Sequence, residues 1–147
     1  MAARLVIDES RYALLADEQG KWREIAVLHG GASALLPPTR LVDEGRLETA
    51  IEKAEDWLMP HAAPLRGQVL EVIDTTGRLA SGLDAVLSVA TRDWTVDGVE
   101  AFFLRLTDAA TGRRPAPTLD GRQLFIADIV LLRELAHHGQ LLTIHMA

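Results

Sequence analysis

Three aspartates give this sequence its plainest chemical opening. Asp8 closes the apolar run Leu-Val-Ile-Asp, Asp74 closes Glu-Val-Ile-Asp, and Asp128 interrupts a leucine-rich stretch late in the chain. Carboxylates gathered at one point hold magnesium, a hard cation that takes oxygen ligands, and a magnesium so held supports phosphoryl chemistry. Each aspartate also has an ordinary explanation. Aspartates end strands because they form turns. A carboxylate among leucines must be paired, hydrogen-bonded or neutral, because burying an unpaired charge is very costly. For Asp128 the ordinary explanation is favoured, with a backbone amide or an arginine as partner.

Glu134, His137, His138 and His145 form a second group with metal-ligand chemistry. Glu134-Leu-Ala-His137 sets a carboxylate and an imidazole one helical turn apart, and His145 follows on the next element. A di-iron site needs a second such pair, which the chain lacks, and His-Glu-x-x-His is absent. The simpler account is that His137 and His138 sit at the negative end of a helix dipole. Nucleophilic chemistry has less support, since neither Ser33 nor Ser81 lies in a Gly-x-Ser-x-Gly turn. Gly30-Gly31 lacks the Gly-Lys-Ser/Thr that completes a phosphate loop. Leu35-Leu36-Pro37-Pro38 either folds over the edge of the core or offers Leu35 and Leu36 to a partner.

Composition narrows the setting. A chain of 147 residues with 48% hydrophobic and 24% charged residues reads as one globular domain spanning 1–147. Its net charge of −6 argues against nucleic acid or an anionic membrane as main partner. With no cysteine there is no disulfide, thiolate zinc site or cysteine nucleophile. The start of the sequence has no signal-peptide core and no apolar run approaches a membrane span, so a cytoplasmic protein is expected. The Ala-, Leu- and Arg-rich usage suggests a bacterial source.

The elements that must position these residues follow from periodicity. Residues 4–28 read as three short strands in an antiparallel meander, with a hairpin at Asp17–Lys21. Asp43 caps a helix ending near Met59, whose Leu47, Ala50, Ile51, Ala54, Trp57 and Leu58 face inward while Glu48, Glu52, Glu55 and Asp56 face solvent. Gln68–Asp74 is a strand. Residues 78–91 fit a helix or a strand, with helix favoured because Ser81 is a capping residue with Asp84 three positions on. Thr95 caps a helix stopped by Gly112, and a Pro-punctuated loop follows, long enough to be partly mobile. Arg122–His138 is a long helix placing Leu124, Phe125, Ile129, Leu131, Leu132, Leu135 and Ala136 on one arc and Arg133, Glu134, His137 and His138 opposite; Gln140–Met146 is a final strand.

This predicts an α/β (α+β) domain: a mixed sheet packed by three or four helices around the long one. A meander, a helix and then a strand ending in Asp is also the element order of ribonuclease-H-like folds. By that analogy the carboxylates Asp8, Asp74 and Asp128 would hold magnesium. The favoured function is a domain without catalysis or cofactor that binds another protein or itself. The alternative is a divalent-metal-dependent phosphoryl-transfer enzyme using the three aspartates.

Overall fold

In the computed structural model, which describes residues 2–37, 42–112 and 121–147, a six-stranded sheet has the order β3-β2-β1-β4-β6-β5. The meander comprises β1 (Ala3–Ile7), β2 (Arg11–Glu18) and β3 (Lys21–His29), each antiparallel to its neighbour. Its second turn is two residues long, Gln19 and Gly20, both with positive φ, and Gly20 N–H donates to Asp17 Oδ1 at 2.9 Å. Such turns match the right-handed twist of the strands they join.

In β3, Leu14 pairs with Ala26 but Leu15 pairs with Glu24, leaving Ile25 as an extra residue. That bulge shifts the inward-facing set by one, which is why β3 shows no clean alternation in the sequence.

After the meander the chain forms α1 (Ala32–Leu35) and α2 (Glu44–Leu58), with Asp43 capping α2 by accepting from Arg46 N–H. Two short 3-10 turns lead to β4 (Val69–Asp74), which lies parallel to β1. Then come α3 (Arg78–Leu87), β5 (Asp93–Thr95), α4 (Val96–Thr111), α5 (Gln123–His138) and β6 (Thr143–Met146), parallel to β4 and antiparallel to β5. The meander, helix and Asp-ended strand expected by analogy all form. Among the described residues there are five α-helices rather than three or four, because α1 forms inside a segment expected to be a loop; β5 is likewise an addition. Residues 113–120 of the expected Pro-punctuated loop, with Arg113 and Arg114, lie outside the described residues, as does Pro38.

Leu5, Ile7, Leu70, Val72 and Ile144 line the buried face of the sheet. α5 packs against α1, α2, α3 and α4, and its residues from Phe125 to Leu132 are all buried. A helix apolar nearly all round is one covered on several sides. Two expectations fail here. Leu124 is 36% exposed, while Glu134 on the supposed polar side is 0% exposed. Leu35 and Leu36, at 1% and 2%, are core residues. α1 turns them inward onto the helical layer, so the exposed surface that an interaction through Leu35 and Leu36 required is absent. No helix among the described residues is long and apolar enough to cross a membrane.

Candidate functional site

Parallel strands set the site. Ile7 of β1 pairs with Asp74 of β4, so Asp8 comes one residue past the level of Asp74, opposite Thr75, at the carboxyl ends of these adjacent parallel strands. In open α/β sheets, ligands bind outside those ends. Thr75 ties the two strand ends together. Its N–H donates to Ile7 O at 3.0 Å, and its hydroxyl donates to Asp8 Oδ1 at 2.8 Å. Asp8 Oδ1 also accepts from Glu9 N–H, while Oδ2 has no donor among the described residues. Asp8 therefore keeps one oxygen for a ligand.

Asp74 is committed to folding. Oδ1 accepts from the N–H and hydroxyl of Thr76, at 2.8 and 2.6 Å, and Oδ2 accepts from Leu79 N–H at 2.8 Å. A carboxylate at a helix N-terminus satisfies orphan amides and the dipole together. This corrects the expected cap: α3 starts at Arg78, after Gly77 with φ of 75°, and Ser81 lies inside the helix. Gly77 matters because the turn needs that left-handed conformation.

Asp128 is fully buried and triply held. Tyr12 from β2 donates its hydroxyl to Oδ1 at 2.6 Å. Arg78 from α3 bonds both oxygens, Nε to Oδ2 at 2.7 Å and Nη2 to Oδ1 at 2.9 Å. Burial raises the Asp128 carboxyl pKa, against the opposing pull of Arg78 and Tyr12. Burial also pushes the Tyr12 hydroxyl well above its ordinary value, and the Asp128 charge adds to it. For Arg78, burial works against the charge, but the bonds to Asp128 outweigh it and hold the guanidinium ionised. The expected arginine partner is present. The expected cluster of three is therefore corrected: Asp8 stands at the carboxyl end of a central strand, Asp74 holds the turn and helix that follow β4, and Asp128 belongs to a separate buried brace.

Of the second group, Glu134 and His138 meet across one helical turn, with Glu134 Oε2 3.0 Å from His138 Nε2. His145 is elsewhere, bonded through Nδ1 to Asp93 at 2.7 Å. His137 is exposed and touches His138 only edge to face. Glu55 of α2, expected to face solvent, instead comes 3.8 Å from His138 Nε2.

Sequence reasoning missed Tyr12, Arg78, Thr75 and Glu55. Arg78 alone carried a signal: a cation in the first turn of a helix opposes the dipole, so it needs an anion close by.

The fold has known counterparts. The Aquifex aeolicus PPX-GPPA enzyme superposes with a TM-score of 0.67 at 15% identity, across 99% of this chain and 52% of that one. An exopolyphosphatase from Cytophaga hutchinsonii gives 0.66 at 10% identity, across 100% of this chain and 53% of that one.

The fold resembles about half of each of these enzymes.

A type II variant of the Aquifex aeolicus Ppx/GppA phosphatase gives 0.67 at 13% identity, across 99% and 52% of the two chains. This chain thus spans about half the length of the solved structures it matches. No family model and no curated protein matches it. The likeness to the Ppx/GppA fold overturns the expectation of a non-catalytic interaction domain: the neighbours are phosphatases and exopolyphosphatases, and they side with the phosphoryl-transfer alternative.

Proposed function

We propose that this chain is one lobe of a phosphatase-type enzyme that cleaves phosphoanhydride bonds with a divalent cation. The observation that carries the reading is Asp8, oriented by Thr75 at the carboxyl ends of parallel strands, in a fold like that of enzymes of this kind.

The chain's own residues fit a magnesium ion, which is commonly held by one or two carboxylates together with water and substrate phosphates. Asp8 Oδ2, which has no donor among the described residues, is the ligand offered here. When bound, magnesium offsets the charge of phosphate oxygens. Thr75 orients Asp8 through Oδ1. Asp74 holds the Thr75-Thr76-Gly77 turn that carries Thr75. The Arg78–Asp128–Tyr12 brace fixes α3 against β2 and α5, so the turn cannot drift. The solved structures are about twice as long, so the reading includes a second lobe facing these strand ends. A second copy, a partner protein or a further stretch of polypeptide supplies it. In this reading the protein works in the cytoplasm, where phosphoanhydrides are abundant.

The test is a thermal-shift titration with tripolyphosphate, with and without magnesium, alongside assays of phosphate release. Wild type should be stabilised by tripolyphosphate only when magnesium is present, since a ligand of the native state stabilises by mass action. Asp8→Asn should lose that response. A wild type that shows neither a magnesium-dependent shift nor phosphate release, or an Asp8→Asn variant that keeps both, removes the proposal.

A further inference from the structure

The geometry points to a second, separate metal site in this protein, a zinc-class centre that clips α2 to α5 through Glu55, Glu134 and His138. Their ligand atoms all lie within 4.8 Å of one another. Glu134 and His138 lie four residues apart on α5 and so share one helix face, and Glu55 reaches them from α2.

What separates this group from a surface charge cluster is Glu134 Oε2. The side chain is completely buried, and this oxygen accepts no hydrogen bond from the described residues. Buried carboxylate oxygens are nearly always satisfied, so an orphan asks for a partner. It lies 3.0 Å from His138 Nε2 without hydrogen-bond alignment, and that nitrogen is 3.8 Å from Glu55 Oε2. Ligands at about 2.1 Å from one ion stand about 3.0–3.4 Å from each other in a tetrahedral or octahedral shell. The Glu134–His138 pair already has such a spacing, and half-exposed Glu55 needs only a small side-chain movement to complete it.

The surroundings suit an ion. Arg133 Nη1 bonds the other oxygen, Glu134 Oε1, at 2.6 Å and fixes the direction in which Oε2 points, as outer-shell partners of metal ligands do. Arg133 is itself anchored by Glu100 at 2.8 Å. His138, 27% exposed, also borders a cavity of about 310 Å³ beside Gly139 and Gln140. Neutral imidazole binds through the Nε2 lone pair, and two carboxylates balance the double charge of the cation. One nitrogen with two oxygens selects zinc or a neighbouring first-row ion over magnesium, which takes oxygen alone.

The site lies on the helical layer and shares no residue with the strand ends that carry Asp8, so either can fail without the other. Chelator-stripped protein titrated with zinc by calorimetry should bind a single ion per chain and melt several degrees higher. Cobalt should give visible absorption bands of a protein-bound ion. Glu55→Gln and His138→Gln should each weaken zinc at least tenfold, while both leave the buried Glu134–Arg133 pair in place. His137→Gln and Asp8→Asn should bind zinc as wild type does, and magnesium should produce no melting shift through this site. The proposal is overturned by wild type that takes up no zinc, by unchanged affinity in either Glu55→Gln or His138→Gln, or by loss of binding in His137→Gln.

Discussion

Asp128 and Glu134 lie on the same helix, six residues apart; both are fully buried and both meet an arginine. Around Asp128, donors arrive from β2 and α3, and both oxygens are bonded. Around Glu134, the arginine is its own neighbour in sequence, and one oxygen is left facing a histidine and another carboxylate. The first arrangement is closed: it joins three elements and leaves nothing to bind. The second is open. A buried carboxylate is therefore a rivet or a ligand according to whether its lone pairs are used up by the fold.

The largest expected effect breaks the rivet. Asp128→Ala leaves Arg78, whose side chain is only 16% exposed, without its partner, and should cost about 3–5 kcal/mol in urea unfolding. Glu134→Ala should cost under about 2 kcal/mol, because Arg133 keeps Glu100 and remains a quarter exposed. Equal losses would erase the distinction between closed and open. A smaller effect probes how the rivet is shared. Tyr12→Phe removes one donor while the two Arg78 bonds remain, so the loss should be about 1–1.5 kcal/mol. A loss as large as that of Asp128→Ala would mean the hydroxyl, not the guanidinium, holds the carboxylate.

The smallest effect is a slope. Because burial raises the Asp128 pKa, the folded state holds its proton more tightly than the unfolded chain. The stability tied to that proton is fully present below the ordinary carboxylate range and is lost as pH rises through the folded pKa. The stability of wild type minus that of Asp128→Asn should therefore decline with rising pH above about 4, by no more than about 1.4 kcal/mol per pH unit. Urea midpoints for both proteins across pH 3–7 measure it. A difference that grows with pH would mean that Arg78 and Tyr12 together outweigh burial.

Local pattern decided much of this protein. The meander, the caps Asp43 and Thr95, the stripe of α2 and the dominance of α5 follow from periodicity and capping chemistry, which depend on neighbours a few residues away. So does the demand that Asp128 find a partner, since its setting among Ile129, Leu131 and Leu132 is visible in the chain. What needed the tertiary structure was which groups meet. Tyr12 and Asp128 are 116 positions apart, and no spacing rule joins them. Leu35 and Leu36 are buried because a four-residue helix, too short to leave a periodic signal, turns them inward. Glu134 and Glu55 looked solvent-facing on their own helical wheels, yet the packing of α2 against α5 buries Glu134 and brings half-exposed Glu55 to His138. A helical wheel records which side chains share a face, but only the packing of a second helix settles whether that face meets water or another carboxylate.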